Sequence, residues 1–521
     1  TIEKAIKKQP SEIHAYHTNS IISILKNKRV YFKEDMIHYY QFLSRKPSLS
    51  GSSLPEKFVV TVNDNQTVLV QIEDKTGKAT YERLFKPSET KEINLFGLQG
   101  NDLFMVTGKR SPIKIRLIGG PGEDTFTNAS GNKVIVYDVR SEKNTITGMN
   151  LKNRISNNPL NNDYKQTYPV YNTSSLGISL QYSMDGGLFV GPRYKLVTTG
   201  FRKEPYASRH IIYATRSLHT PAWNLHYNGT FLKIANKTDF LINTDAQLPT
   251  VRTHFFGWGN TTSFDKIKGI DYYKIQYRLV DASFMLQHWL SPWAALQFGP
   301  VIQHYQVDVK DASNKFISTV YPMQSATELY SDKWYTGAKV QLTIDTRNHQ
   351  LIPTRGFYAT IYSTQMFGLF NSGNQFNQAG AEFGLYTDVL AKDHLIFATC
   401  FGAGNTFGDV ELPQAQYLGF KQNVRGYRFQ RFAGRTRAYN NSEFRLNFGE
   451  TNLYLFKGSL GIIAFHDIGR VWVKDEHSNT WHTGYGGGVW IAPFNKIVIA
   501  GSLSFSKEES ALPIVSLGFQ L

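Results

Sequence analysis

The chain has 521 residues, a mean hydropathy of −0.33 and a formal charge of +16, from 57 lysines and arginines against 41 acidic residues. No stretch holds eighteen consecutive apolar residues, which excludes a membrane-spanning helix but not a membrane barrel, whose strands hide half of their side chains in the lumen. The basic residues are scattered, without a basic helix or a run of five, so lipid headgroups and a polar lumen explain them better than nucleic acid does.

Residues 1–50 are predicted to be partly helical. Apolar side chains at mixed helical spacing in residues 11–25 and 34–43 predict short amphipathic pieces, and the serines of residues 48–53 predict a linker after them. Because the chain begins at Thr1 without methionine or a signal peptide, we expect either a processed mature form or the C-terminal part of a longer protein.

From residue 51 to residue 164 the pattern changes to short runs that alternate with a period of two. Phe58–Val62, Thr67–Ile72 and Lys133–Tyr137 are such runs, and turn residues separate them. The pattern predicts a small β-rich domain, built as a sandwich, that ends at a polar boundary.

Two glycine–aspartate turns in this region resemble the calcium-binding nonapeptides of β-rolls. Gly119–Phe126 matches one such repeat and Gly97–Phe104 is a looser copy, so Asp102 and Asp124 are the calcium candidates. Calcium β-rolls stack contiguous repeats so that neighbouring turns share each ion. These two turns lie about twenty residues apart, so simple turns between strands are favoured, and we expect neither a metal nor another cofactor.

From residue 165 to the C-terminus, apolar and polar side chains alternate, with charged residues opposite aromatic ones. Transmembrane strands of 9–11 residues, with their turns, give a repeat of roughly 20–22 residues, so residues 165–521 would hold about sixteen strands. The prediction is therefore an all-β fold, a transmembrane antiparallel β-barrel after a small β-rich domain. A soluble β-rich binding protein is the alternative. The one cysteine, Cys400, lies within a predicted strand and excludes an internal disulfide.

The segment Leu418–Tyr427 lies between two predicted strands and carries Arg425, which needs an anionic partner. On the following strand, Glu443 and Arg445 share one face with Asn447, while three apolar residues occupy the other face. A strand with a charged face and an apolar face is typical of a barrel wall with water inside and lipid outside. Arg425 would then be the tip of a loop that folds back into the lumen and meets Glu443.

Four motifs in this region resemble those of the BamA/TamA-type outer-membrane assembly and translocation barrels, also called bacterial surface antigens. They are YLGFKQNVRGY at residues 417–427, similar to the family's inward-folded loop; FHDIGRVW at 465–472, similar to its F-x-D-x-G strand; DTRN at 345–348 followed by PTRG at 353–356; and FFGWGN at 255–260. The family usually has a second glycine before the loop arginine, where this chain has Phe420.

The resemblance implies roles for the matched residues. Arg425 would be held in the lumen by Glu443 and Asp467, with Gly426 permitting the tight loop and Tyr427 packing behind it. The remaining matched positions are Phe465 and Gly469 of the F-x-D-x-G strand, and Asp345, Arg347, Pro353 and Gly356 of a mid-barrel hairpin.

The resemblance also implies a non-enzymatic protein of the bacterial outer membrane, with its N-terminal part in the periplasm, that inserts or translocates proteins through a laterally gated barrel. The seam would lie between Leu176–Ser183 and Ile514–Leu521. The implied partners are outer-membrane lipids, unfolded outer-membrane or secreted protein clients, and periplasmic or lipoprotein accessory subunits.

The alternative function is a membrane anchor or channel for an upstream hydrolase domain or a surface complex. The chain itself has no G-x-S-x-G elbow, P-loop or H-E-x-x-H motif, so no enzymatic activity is predicted for it. A catalytic domain could stand only in a longer precursor.

Overall fold

The structure is a computed structural model that describes residues 2–6, 8, 10–162, 164, 171–183, 185–322, 328–370, 373–390, 392–420, 423–452, 457–519 and 521. The chain divides into two compact units, Thr1–Pro169 and Val170–Leu521. Lys421 and Gln422 of the predicted loop, Gln520 of the predicted seam, and residues 165–170 at the predicted start of the barrel lie outside the described residues.

The N-terminal unit begins with helix α1, Ile2–Ile6, and the long helix α2, Ser11–Ser44. The helical pieces predicted within residues 11–43 belong to one continuous helix, because no proline or glycine occurs between residues 11 and 44 to interrupt it. Among the described helices, none combines the length and the apolar character needed to cross a membrane.

Two sheets follow α2 in the N-terminal unit. Their strands are β1 Ser48–Ser50, β2 Lys57–Val62, β3 Val68–Glu73, β4 Ala79–Phe85, β5 Glu92–Phe96, β6 Leu103–Gly108, β7 Lys114–Ile118, β8 Thr125–Asn128, β9 Val134–Tyr137, β10 Thr145–Gly148 and β11 Leu151–Asn153, and a short helix, α3, spans Pro159–Asn162. The sheet orders are β1-β5-β7-β9-β11 and β10-β8-β6-β2-β3-β4. The two sheets enclose one apolar core, as a sandwich does.

The path of the chain through these sheets differs from that of an ordinary antiparallel sandwich. Apart from the β2–β3–β4 hairpins, neighbouring strands are parallel, because the chain passes alternately from one sheet to the other in a coil. Phe58, Phe104 and Phe126 therefore stack in the core, with ring centroids 4.5 and 4.9 Å apart. One full turn of the coil from Phe104 to Phe126 takes 22 residues.

The C-terminal unit is dominated by one antiparallel sheet of sixteen strands, and each strand pairs with the next along the chain. In chain order its elements are β12 Thr173–Ser183, β13 Gly187–Gly200, β14 Lys203–Ser217, β15 Trp223–Ala235, β16 Thr238–His254, β17 Lys274–Ser291, β18 Ala294–Val307, helices α4 Val309–Ala312 and α5 Phe316–Val320, β19 Lys333–Asp345, β20 Gly356–Leu369, β21 Phe376–Asp388, β22 Leu395–Gly408, the small hairpin β23 Gln416–Leu418 and β24 Phe432–Gly434, β25 Thr436–Asn452, β26 Lys457–Trp472, β27 His482–Pro493, β28 Ile499–Phe505 and β29 Leu512–Leu517.

The two faces of this sheet differ as the alternation predicted. On β25, Phe444 is 49% exposed while its neighbours Glu443 and Arg445 are 1% and 2% exposed. Apolar side chains elsewhere, such as Leu176 and Val515, also lie on the exposed face. An apolar outer face and a polar inner face are typical of a membrane barrel, so the predicted all-β fold with about sixteen strands is confirmed.

The seam of the sheet is defined here by its two edge strands, β12 and β29. Each of them pairs with a single neighbour, and no ladder joins β12 to β29 among the residues that the structure describes. The final strand is short because Gly518, with φ +93°, turns the chain out of the sheet. Phe519 then packs against Trp490, at 5.2 Å between ring centroids, so only Ile514–Leu517 of the predicted seam segment is strand.

Candidate functional site in the barrel lumen

The loop between β22 and β25, residues 409–435, contacts strands from widely separated parts of the sheet. His254 on β16 has its Nδ1 atom 3.0 Å from the carbonyl oxygen of Phe429, and Ser506, next to β28, donates to the carbonyl oxygen of Gly426 at 2.6 Å. Because β16 and β28 surround the same loop, the sheet curves around it. The loop therefore lies in the lumen.

Arg425, near the tip of this loop, is hydrogen-bonded to two acidic side chains of the barrel wall. Its Nε and Nη2 atoms donate to the two carboxylate oxygens of Asp467, each at 2.7 Å, and its Nη1 atom donates to Glu443 at 2.8 Å. Its guanidinium also lies 3.7 Å from the ring centroid of Phe465. The three ionic side chains are at most 3% exposed. This bidentate geometry fixes the direction of the side chain as well as its position.

A second arginine, Arg445 on β25, shares the carboxylate of Glu443. Its Nε atom donates to Glu443 at 2.6 Å, and its Nη2 atom donates to the carbonyl oxygen of Leu521 at 2.8 Å. Two buried arginines thus face two buried carboxylates, and the four charges cancel. Buried ions are tolerated only when paired and hydrogen-bonded, so Arg445 completes a network that the loop arginine alone would leave with excess negative charge.

The loop backbone approaches the wall closely where glycines allow it. Gly426 has φ +92°, a conformation that other residues rarely adopt. Val424 packs directly over Gly469 on β26, and a Cβ atom at Gly484 on β27 would collide with the carbonyl oxygen of Arg425. Tyr427 is 2% exposed, within the cluster of Leu418, Val424, Phe432 and Val471. Gly484 was not predicted, although the GYGGG run at residues 484–488 was its signal.

Two further arginines of the loop, Arg428 and Arg431, pair with the turn between β28 and β29. Arg428 donates to Glu509 at 2.7 Å, and Arg431 donates to both carboxylate oxygens of Glu508, each at 2.7 Å. Arg431 is fully buried and also donates to the hydroxyl of Thr262 at 2.7 Å. Sequence reasoning missed these pairs, although three arginines spaced three residues apart in one loop were a signal.

Phe420 occupies the position where the resembling family usually has a glycine. Its φ is +60°, in the left-handed region, which costs roughly 1–2 kcal/mol for a residue with a Cβ atom. The side chain is buried against Leu512 and Ile514 of the last strand. This apolar contact offsets the backbone cost.

The FFGWGN segment holds the loop from another side. Asn260 donates from Nδ2 to the carbonyl oxygen of Val471 at 2.7 Å and to Glu476 at 2.9 Å. The amide of Gly259 donates to the carbonyl oxygen of Ala433 in β24 at 2.8 Å. The segment therefore ties the small hairpin of the loop to β26.

The mid-barrel motif lies at the opposite rim of the barrel from the loop. Arg347 donates to both carboxylate oxygens of Asp345, at 2.9 and 2.7 Å, within the β19–β20 turn. Gly356 has φ +104° at the start of β20, and the carbonyl oxygen of Pro353 is 3.4 Å from Nη1 of Arg445. The motif therefore touches the lumen network through Pro353, while Asp345 and Arg347 form a local pair.

The two calcium candidates of the N-terminal unit do stack, because the 22 residues between Asp102 and Asp124 are one turn of the coil. The amide of Asp102 donates to Asp124 at 2.7 Å, and the free carboxylate oxygen of Asp124 faces that of Asp138 across Gly119. Each of the three carboxyl groups has one buried oxygen without a hydrogen-bond partner. Within the described residues, no group of three or more potential ligands is arranged to hold a metal ion.

Burial raises the pKa of Asp102, Asp124 and Asp138 to about 7, against backbone hydrogen bonds that lower it. The neighbouring carboxylates add to the rise. With pKa values of about 7, these carboxyl groups are protonated below neutral pH. The coil brings together two turns that their spacing in the sequence had kept apart.

The sequence profile of the Omp85 superfamily domain matches residues 219–521. Among solved structures, the chain is similar to BamA from Haemophilus ducreyi lacking POTRA domains 1–3, at 15% identity and a TM-score of 0.49, over 66% of this chain and 70% of that chain. It is also similar to CdiB from Acinetobacter baumannii (11% identity, TM-score 0.41, 67% and 59% covered) and to CdiB from Escherichia coli (15%, 0.44, 67% and 62%). No curated protein matches the chain in sequence.

Replacing Arg425 by alanine is expected to lower the stability of the folded barrel by about 3–5 kcal/mol, because Glu443 and Asp467 would be left buried and unpaired. The measurement is the unfolding of the purified protein in detergent, followed by the mobility shift between folded and unfolded barrel on gels. Lys457→Ala is the matched control, since Lys457 and its partner Glu450 are 63% and 52% exposed. Equal effects of the two substitutions would contradict the buried network.

The acidic column predicts a pH dependence for the N-terminal unit. Asp124 and Asp138 hold protons up to about pH 7 in the folded state but only to about pH 4 when unfolded. Their stabilising contribution is therefore complete below about pH 4 and is lost as the pH rises through about 7, a change on the order of 4 kcal/mol for each group. Hydrogen exchange of β7 and β9 in the full chain, from pH 5 to pH 8, measures it.

Asp138→Asn should flatten this pH profile, because the amide keeps the acceptor oxygen for the amide of Val139 and supplies a donor toward Asp124 without titrating. Asp64→Asn, at an exposed turn, is the control and should leave the profile unchanged. A D138N profile as steep as that of the unmodified protein would refute the role of Asp138 in the pH dependence.

Proposed function

The chain belongs to the Omp85 superfamily of outer-membrane insertion and translocation barrels, and on that premise we propose that it admits protein clients through the seam between β12 and β29. The observation that carries the proposal is the absence of a hydrogen-bonded ladder between these two edge strands in the described part of the sheet. The clients would be unfolded outer-membrane or secreted proteins, and the reaction needs no cofactor.

The physical reason is the cost of an unpaired edge in a membrane. Backbone amides in the hydrocarbon layer have no water to bond, so an unpaired strand edge favours any strand that pairs with it. Leu176 and Ile178 on β12 are 83% and 73% exposed, and Val515 and Leu517 on β29 are 73% and 78% exposed. A client strand that adds to either edge gains main-chain hydrogen bonds and an apolar neighbour.

The loop in the lumen connects the barrel wall to one edge of the seam. Arg425 attaches the loop to β25 and β26, whereas Arg428 and Arg431 attach it to the turn between β28 and β29. The loop thereby supports the hairpin that carries one edge of the seam. We assign Arg425, Gly426, Tyr427, Glu443 and Asp467 the role of fixing the loop, with Phe465 and Gly469 as the surface on which it rests.

The N-terminal unit is assigned to the periplasm, where it would receive clients or bind accessory subunits. The alternative function, a passive channel or an anchor for an upstream hydrolase or a surface complex, is less favoured because the loop fills part of the lumen with buried side chains. A large steady conductance in planar bilayers would favour the channel instead.

A disulfide across the seam is expected to stop client assembly. One cysteine placed in Leu176–Ser183 and one in Ile514–Leu517, in a Cys400→Ala background, would hold the two edges together, and assembly of a barrel client into proteoliposomes should fall to background and return on reduction. The control disulfide joins Leu180 and Val190, which already face each other in the β12–β13 ladder. Undiminished assembly by the oxidised seam variant would contradict client entry through the seam.

Replacing Glu508 by glutamine is expected to loosen the hairpin β28–β29, because Arg431 would lose a charged, bidentate partner worth about 1.5–3 kcal/mol. Hydrogen exchange of β29 should then rise by about tenfold or more, while that of β25 and β26 stays unchanged. Glu450→Gln is the matched control, since its pair with Lys457 is exposed. If β29 exchanges alike in both variants, the loop does not support the seam.

A further inference from the structure

A basic cavity opens on the N-terminal unit, at the corner where the β6–β7 and β8–β9 connections stack on each other. Its volume is about 520 Å³, and Arg110, Lys114 and Lys133 line it together with Ser111 and Asn132. No acidic residue lines the cavity. The proposed function of the barrel makes no use of this corner.

The three cations have no ion-pair partners among the described residues. The ladder between β7 and β9 pairs Ile115 with Val134, so Lys114 and Lys133 lie side by side in adjacent turns of the coil, about 4.8 Å apart at the backbone. Like charges directly opposite each other on neighbouring strands are destabilising. Glu92, the acidic residue opposite Lys114 on the other side, is paired with Arg116.

The floor of the cavity is rigid. The amide of Ser111 donates to Oδ1 of Asn132 at 2.6 Å, and its hydroxyl donates to the carbonyl oxygen of Gln66 at 2.6 Å. Both side chains are more than nine-tenths buried. The amide of Gly131 donates to the carbonyl oxygen of Lys109 at 3.0 Å, which fixes the turn that carries Arg110. The cations are therefore presented from a fixed surface.

We propose that this basic corner is a binding site for a phosphate-bearing anion. An arginine supplies a planar fork that fits two phosphate oxygens, and two lysines supply compact point charges. Three positive charges therefore line one cavity without a competing carboxylate in its lining. A bound anion would also relieve the repulsion between Lys114 and Lys133. The cavity exceeds the size of a single phosphate, so it has room for a diphosphate or a phosphorylated headgroup.

Partial burial, together with the charge of Arg116, lowers the pKa of Lys114. A bound anion would reverse that effect, so binding and protonation of Lys114 favour each other. The source of the phosphate is either a lipid headgroup or a soluble phosphorylated compound, since both present the same oxygens.

The test uses the full chain in detergent, titrated with pyrophosphate by calorimetry at low and moderate salt. The unmodified protein should bind it saturably, and the triple variant R110Q/K114Q/K133Q should bind at least tenfold more weakly. Lys75→Gln, at an exposed turn of the same unit, is the matched control. The single variant K133Q, which leaves the corner otherwise intact, should show an intermediate loss and guards against a folding defect in the triple variant.

A second experiment distinguishes a lipid headgroup from a soluble compound as the source of the phosphate. The full chain in nanodiscs of neutral lipid is floated with phosphatidylcholine vesicles that contain or lack phosphatidylglycerol. Vesicle binding that needs phosphatidylglycerol and is lost in the triple variant assigns a lipid headgroup, whereas pyrophosphate binding without vesicle binding assigns a soluble ligand. Absence of binding in both arms, or equal binding by the triple variant and the control, would overturn the proposal.

Discussion

The loop in the lumen depends on one buried set of four charges. Arg425 and Arg445 face Glu443 and Asp467 with almost no exposure, and bonds of 2.6–2.8 Å join them. None of these ions would be stable alone in such a place, because desolvation costs several kcal/mol per ion and only good pairing offsets it. The four residues therefore specify one position of the loop rather than merely favouring the lumen over solvent.

That position has consequences at the opposite rim of the barrel. Arg445 extends the network to the carbonyl oxygens of Leu521 and Pro353, so the end of the chain and the β19–β20 turn are tied to the same carboxylate as the loop tip. Cation–π contacts of Arg425 with Phe465 and of Arg445 with Phe519 cover the two guanidinium faces. A displacement of the loop tip would therefore change the contacts at the opposite rim through Glu443 and Arg445, two side chains on β25.

Alternation along single strands was enough to predict the barrel and the inward face of β25. It placed Glu443 inside because the side-chain period of a strand is two, and the resemblance supplied Asp467 as the second partner of Arg425. Contacts between segments far apart in the sequence could not be predicted, because no repeating pattern in the sequence indicates that they lie close together. The pairs of Arg431 with Glu508 and of Arg428 with Glu509 join residues about eighty positions apart, and Asn260 reaches β26 over more than two hundred. Only the closed sheet brings them together.

In the N-terminal unit, the sequence pattern predicts the strands but not how they are connected. Short alternating runs predicted two sheets around a core, but a run of five residues does not reveal whether its neighbour is parallel or antiparallel. The spacing of Asp102 and Asp124 predicts separate turns, because the repeats of a calcium β-roll are contiguous, whereas 22 residues is one turn of the coil that these strands form. The 22-residue spacing of the aspartates indicates stacking only when the length of one turn of the coil is known.

The two attachments of the loop differ in a way that bears on how the seam would open. At the wall, Arg425, Glu443 and Asp467 are at most 3% exposed. At the terminal hairpin one member of each pair, Arg428 or Glu508, is 29% exposed, while the partners Glu509 and Arg431 are 11% and 0% exposed. Partly exposed pairs are weakened by water and salt, and buried ones hardly at all. The loop is therefore held firmly at β25 and β26 and more weakly at the β28–β29 turn. If clients enter through the seam as proposed, the hairpin is the part that would move, while the loop tip would stay in place.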